Sequence, residues 1–276
     1  MKIVVFDLDE TLGYFVQYGI FWDCLNSYLL QKNSTKLNQL DQPDFDTTLD
    51  LYPEFLRPNI MNILDYLKTK KNTQCCQKLM IYTNNQGHQI WSNYILSYFE
   101  KKLEFKLFDK VISAFKINGK RFEICRTTNN KTYDDFIRCT LLPKNAEICY
   151  LDDTFYPEMM NENVYYINIK PYIHDLQFEE IYKRFLESNI GKTLIVQENR
   201  ENFIDFMEKN IKLYDFQILK KDDTDFKVDV ILSKRILHHL QDFFNKTNSK
   251  TIKYKNKTNK KLYNNKDKNK TKRHKY

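Results

Sequence analysis

A chain of 276 residues, 42% hydrophobic and 15% aromatic, has enough apolar mass for one large domain or a domain with an appendage, which excludes wholesale disorder. Its net charge of +8 is unevenly held: residues 246–276 carry 13 Lys and Arg against the single acid Asp267, a net +12, which leaves the other 245 residues at −4. No apolar run approaches the roughly 18 uncharged residues of a membrane span, so a soluble chain is expected, cytoplasmic or nuclear and not secreted.

In chain order, Lys2-Ile-Val-Val-Phe is a β-branched apolar run without helical period, which predicts a strand buried on both faces that ends in Asp7-Leu-Asp-Glu-Thr-Leu. Residues 14–56 read as a small cap-like insertion with a helix over 20–31 and a polar surface loop over 31–50. Apolar residues at Ile60, Ile63, Leu64 and Leu67 predict a helix, as do Ile90, Tyr94, Ile95, Tyr98 and Phe99. Between them Lys78-Leu-Met-Ile-Tyr predicts a strand running into Thr83-Asn-Asn-Gln-Gly. Further strands are expected over 106–113, at Glu147-Ile-Cys-Tyr-Leu before Asp152 and Asp153, and over 164–169. A helix is expected over 175–187 with Asp175 as N-cap and Leu176, Ile181 and Phe185 inward. Strands alternating with helices imply βαβ units, hence an α/β Rossmannoid three-layer fold around a parallel sheet. The domain boundaries expected are 1–190 for the core and 191–245 for an α/β or helical extension, a candidate lid, with a strand over 193–196 and helices over 200–210 and 229–244. The basic tail over 246–276 is too polar to offset the entropy of ordering and is expected to be disordered. The cysteines at 24, 75, 76, 125, 139 and 149 form no pair of Cys-x₂-Cys knuckles, so neither a structural zinc site nor a disulfide framework is expected.

Ligands of open parallel sheets bind outside the carboxyl ends of the strands, where loops converge. Three polar clusters fall at three such ends: Asp7 with Asp9 and Thr11, Thr83 with Asn84, and Asp152 with Asp153. Carboxylates gathered in one pocket repel unless a cation neutralises them, and a hard ion such as Mg²⁺ does so through carboxylates, water and substrate phosphate. A magnesium phosphoryl site is therefore expected, with metal ligands among Asp7, Asp9, Asp152 and Asp153. Asp7 is placed to attack phosphorus and Asp9 to handle the proton, splitting a difficult hydrolysis into two steps. Thr11 and Asn84 are candidate substrate contacts; Asn84 either binds phosphate or caps the next helix. His88 either reaches substrate or sits at a helix start. His238 and His239, adjacent on a helix and about 100° apart, are not a metal pair.

Asp7-Leu-Asp-Glu-Thr, the strand-terminal Thr83, a downstream lysine and the strand-terminal Asp152-Asp153 resemble the four motifs of the haloacid dehalogenase (HAD) superfamily over about residues 1–170. The resemblance implies Asp7 as nucleophile, Asp9 as general acid and base, Thr83 as phosphate binder, and Asp152 as a magnesium ligand with Asp153 as a second-shell or alternative ligand. The main-chain carbonyl of Asp9 completes the set. It also implies a charge-balancing lysine, for which Lys131 at a helix start is first choice and Lys120 or Lys116 the alternatives. With Phe55-Leu-Arg-Pro-Asn downstream, the first motif is similar to the phosphatases of the RNA polymerase II C-terminal tail and their NLI-interacting-factor-like relatives. The Thr83-Asn-Asn-Gln-Gly loop resembles instead the histidinol-phosphate phosphatases and polynucleotide 3′-phosphatases.

The function expected from this resemblance is a Mg²⁺-dependent phosphomonoesterase working through an aspartyl-phosphate. An insertion smaller than a full cap leans towards a phosphoprotein or a nucleic-acid end rather than a small phosphometabolite or nucleotide. A catalytically idle binding protein is the alternative of a different class. The +12 tail would add salt-sensitive contact to nucleic acid, and no membrane partner is expected.

Overall fold

The computed structural model describes residues 1–32, 40–87 and 89–246, so the tail from 247 on and His88 lie outside the described residues. In chain order the elements are β1 (Lys2–Phe6), α1 (Phe15–Lys32), α2 (Gln42–Leu49), α3 (Ile60–Asn72), β2 (Lys78–Tyr82) and α4 (Gln89–Leu103). There follow β3 (Lys110–Ile112), the short hairpin β4 (Lys116–Ile117) and β5 (Lys120–Arg121), α5 (Tyr133–Thr140), β6 (Glu147–Asp152) and β7 (Val164–Asn168). The chain then turns helical through α6 (Phe178–Glu187), α7 (Asn189–Leu194), α8 (Arg200–Ile211) and α9 (Asp223–Asn245).

Five strands form one sheet in the order β3-β2-β1-β6-β7, every neighbouring pair parallel. The fold is thus α/β with a central parallel sheet flanked by helices, compatible with a Rossmann-like arrangement. Because side chains alternate along a strand, each strand feeds two cores. Val4 and Phe6, with Leu79, Ile81, Cys149 and Leu151, face a large apolar cluster built with α1, α3, α4, α6, α8 and α9. Ile3 and Val5, with Met80, Tyr82, Ile148 and Tyr150, face a smaller one covered by Phe136 and Cys139 of α5 and by Met159. One face is therefore deeply padded and the other thinly.

The insertion does not stand apart from this core. Tyr18, Phe21, Phe45, Tyr52 and Phe55 are buried in the larger cluster, with ring centroids between 5.4 and 6.3 Å apart where they meet. Gly13 is where the chain enters it: Tyr14 N donates to Phe55 O at 2.7 Å, and a Cβ on Gly13 would lie 2.4 Å from that same oxygen. The extension joins the same cluster through Phe203, Met207, Ile236, Leu240 and Phe243. Lys2 Nζ donates to Phe243 O at 2.6 Å and to Lys246 O at 2.8 Å, so β1's first residue caps the C-terminal end of α9.

Several local expectations are corrected. Part of the expected loop over 31–50 is α2, opened by a capping box in which Asp41 and Asp44 satisfy each other's backbone N–H and anchored by buried Phe45 and Leu49; residues 33–39 lie outside the described residues. The expected strand over 193–196 begins inside α7, which Ser188 caps by accepting from Gly191 N at 3.0 Å, and the segment joins no sheet. The helix expected from Asp175 starts at Phe178; Asp175 instead accepts from Lys221 N at 3.1 Å. Of 106–113, the residues assigned to a strand are Lys110–Ile112. Cys125 and Cys139 are joined in a disulfide across 14 residues, because α5 brings Cys139 back beside the loop that precedes it. Among the described residues no helix is long and apolar enough to cross a membrane.

Candidate active site

Register brings the two acidic clusters together. Phe6 pairs with Ile81 on one side and with Leu151 on the other, so the next residue, Asp7, emerges at the carboxyl edge between Tyr82 and Asp152. Its N–H donates to Leu151 O at 2.9 Å. Parity then decides direction: Asp7 follows Ile3 and Val5, and Asp152 follows Ile148 and Tyr150, so both extend the series that faces α5. Lys131 lies just before Thr132, the N-cap of α5, and reaches them there. Its Nζ is 2.6 Å from Asp7 Oδ1 and 2.6 Å from Asp152 Oδ2, with the ammonium side chain 1% exposed. Lys116 and Lys120, by contrast, stand exposed on the β4–β5 hairpin.

Burial disfavours the charged form of Lys131, but Asp7 and Asp152 outweigh it and hold the ammonium protonated well above its ordinary range. Asp152 is also engaged by the Tyr150 hydroxyl and accepts from Thr154 N at 2.8 Å. Burial, and after it the charge of Asp7, raises both Asp152 and Asp153 above the usual carboxylate range, although Lys131 opposes the rise. Thr11 Oγ1 lies 3.3 Å from Asp153 Oδ1, so Thr11 is a support for that carboxylate. One carboxylate oxygen from each of Asp7, Asp152 and Asp153 lies within 4.8 Å of the others. An all-oxygen set of this kind suits a hard divalent cation.

The Thr83 loop closes on the other side. Thr83 is buried, its N–H donates to Ile112 O at 2.9 Å, and its Oγ1 accepts from Asn85 N at 3.0 Å. Asn85 Nδ2 donates to Asp9 Oδ2 at 2.6 Å, which ties this loop to the one after β1. Asn84 Nδ2 donates to the Tyr156 hydroxyl at 3.0 Å. The structure thus gathers Asp7, Asp9, Thr11, Thr83, Asn84, Lys131, Asp152 and Asp153 at one edge of the sheet. His239 is spent elsewhere, with Nδ1 3.0 Å from the Tyr165 hydroxyl, and exposed His238 is not part of a metal cluster among the described residues.

Sequence reading missed the braces behind this edge. Arg57, 1% exposed, donates through Nε to Thr11 O at 2.6 Å and through one terminal nitrogen to Glu10 O at 2.5 Å and Lys170 O at 2.9 Å. That grip holds Glu10 in the left-handed region at φ 57° and with it the turn that carries Asp9. Arg126 is wholly buried and donates to Thr83 O at 3.1 Å, Ser113 O at 2.8 Å and Asn129 O at 3.1 Å. Arg57 stood in a quoted motif without a role; for Arg126 no sequence signal existed, since its partners are backbone carbonyls.

Comparison with protein-family models, with curated proteins and with solved structures finds no match to this chain.

Proposed function

We propose that this chain is a Mg²⁺-dependent phosphomonoesterase of the HAD type that works through an aspartyl-phosphate on Asp7. The observation that carries the reading is the placement of one buried lysine, Lys131, 2.6 Å from both Asp7 and Asp152, at a strand edge that also holds Asp9, Thr83 and Asp153. A carboxylate that must attack a phosphate dianion needs a cation held against it, and a point charge suffices where bidentate geometry is not required. The carboxylates of Asp7, Asp152 and Asp153 fit a magnesium ion by donor chemistry and by their mutual proximity. Bound there, the ion would neutralise charge on the phosphoryl oxygens.

In the first step an Asp7 oxygen bonds to phosphorus, the bond from phosphorus to the leaving oxygen breaks, and the Asp9 carboxyl passes its proton to that oxygen. In the second, a water gives a proton to the Asp9 carboxylate and attacks phosphorus, releasing inorganic phosphate and restoring Asp7. Thr83 and Asn84 would hold the phosphoryl oxygens. Replacing Asp7 by Asn removes the nucleophile while nearly preserving shape. Its turnover of p-nitrophenyl phosphate in Mg²⁺ is expected to fall by at least about 10⁴-fold with folding intact. An Asp7→Asn protein as fast as the parent would refute the mechanism.

The substrate class proposed is a phosphorylated macromolecule, a phosphoprotein or a nucleic-acid end. Support comes from the insertion, whose helices are built into the larger core beside the sheet. The net +12 over 246–276 would add affinity for nucleic acid. Parallel assays on a phosphopeptide, a mononucleotide and an end-phosphorylated oligonucleotide separate these classes, and inertness towards both macromolecules would remove the proposal.

A further inference from the structure

Asn85 lies in the loop after β2, two residues beyond Thr83, and three of its polar atoms are committed within that loop and to the loop after β1. Its N–H donates to Thr83 Oγ1 at 3.0 Å, its Oδ1 accepts from Gly87 N at 2.8 Å, and its Nδ2 donates to Asp9 Oδ2 at 2.6 Å. The amide orientation follows from these partners, because the flipped side chain would set two acceptor oxygens against each other at Asp9 and two donors at Gly87.

We infer that Asn85 is a positioning residue that aims the Asp9 carboxyl at the leaving-group oxygen and couples that aim to the hydroxyl of Thr83. The inference rests on the phosphatase reading and deepens it. A carboxyl group rotates about its bond to Cβ; fixing Oδ2 fixes where Oδ1 points as well. Up to phosphoryl transfer, the geometry matters where phosphorus–oxygen cleavage leaves an oxygen that must be protonated; the later use of Asp9 as base towards water falls after that step. An alkoxide is a poor leaving group and needs the proton as the bond breaks, whereas p-nitrophenolate is stable enough to leave without it. A residue that only stiffened the loop would slow both substrates alike.

The test is the ratio of kcat/KM for p-nitrophenyl phosphate to that for glycerol 2-phosphate, in Mg²⁺, for the parent and for Asn85→Ala and Asn85→Asp. This constant reports events up to phosphoryl transfer and so excludes hydrolysis of the intermediate. Asn85→Asp keeps the acceptor for Gly87 N and replaces the donor to Asp9 with a carboxylate oxygen that repels it, so it also releases the aim of Asp9 and serves if Asn85→Ala fails to fold. In each folded variant the loss on the alkyl substrate is expected to exceed that on the aryl substrate by at least about tenfold, within the range proton transfer contributes. Equal losses on both substrates, or no loss, would overturn the role of Asn85 while leaving the phosphatase intact. A parent protein inert to both substrates would instead overturn the reading on which it rests.

Discussion

Lys131 shows what a single side chain is asked to do here. Its Nζ is enclosed between two carboxylates at 2.6 Å each, and Tyr156 and Tyr82 lie 5.4 and 5.9 Å from it. Removing one partner from such a set leaves charge buried without compensation, which is costlier than the pair's own net contribution. Lys131→Met, close in length and without charge, is therefore expected to lower the stability of the metal-free protein by about 3–5 kcal/mol in denaturant unfolding. It should also abolish measurable turnover. A variant within about 0.5 kcal/mol of the parent would show that Asp7 and Asp152 are not charged together in the fold.

At the scale of elements, what was legible is what local chemistry decides. The run at Lys2–Phe6 and the spacing of Ile60, Ile63, Leu64 and Leu67 announce β1 and α3 because one side of each must be buried. The three strand-end clusters were readable for the same reason: a buried strand that stops at polar residues stops at an edge. Elements set by tertiary partners were not readable. Thr193-Leu-Ile-Val has strand chemistry, yet Ser188 caps a helix ahead of it, and Gly191 packs where a Cβ would lie 1.7 Å from Phe185 O. Arg57 and Asn85 stood in quoted motifs without a role, and Arg126 in none, because the contacts that tie them to the site, to Glu10 O, Asp9 Oδ2 and Thr83 O, reach across to other segments. The pairing of Cys125 with Cys139 was hidden likewise, and it encloses the segment bearing both Arg126 and Lys131. Closing a loop of that length constrains the unfolded chain by about 3 kcal/mol, so reduction with dithiothreitol is expected to lower unfolding stability by about that amount. An unchanged denaturation midpoint would contradict the pairing.

The whole molecule is lopsided. One sheet face carries most of the helical mass, while α5 and the turn at Pro157–Met159 cover the other, and the acidic edge opens beside the thinner side. Charge is arranged with similar inequality. Asp152 and Asp153 are raised by burial first and by Asp7 next, so the folded state favours their protonated forms. For a carboxyl raised in the fold, the stability it contributes is fully present below the ordinary carboxylate range and is lost as pH climbs through the raised values. A cation that compensates the ionised set should therefore matter most at higher pH. The gain in Tm on adding Mg²⁺ is expected to be larger near about pH 8 than near about pH 5, and a Tm indifferent to Mg²⁺ at both would count against a metal site here.

All of this converges on one oxygen of Asp7. Rapid acid quench during turnover, followed by borohydride reduction and peptide mass spectrometry, reads it directly, since an aspartyl-phosphate is reduced to homoserine and an untouched aspartate is not. Homoserine at position 7 that requires both substrate and Mg²⁺, and is absent when Asp7 is replaced by Asn, is the predicted result. Turnover with position 7 remaining aspartate throughout, or homoserine appearing at another position, would contradict it.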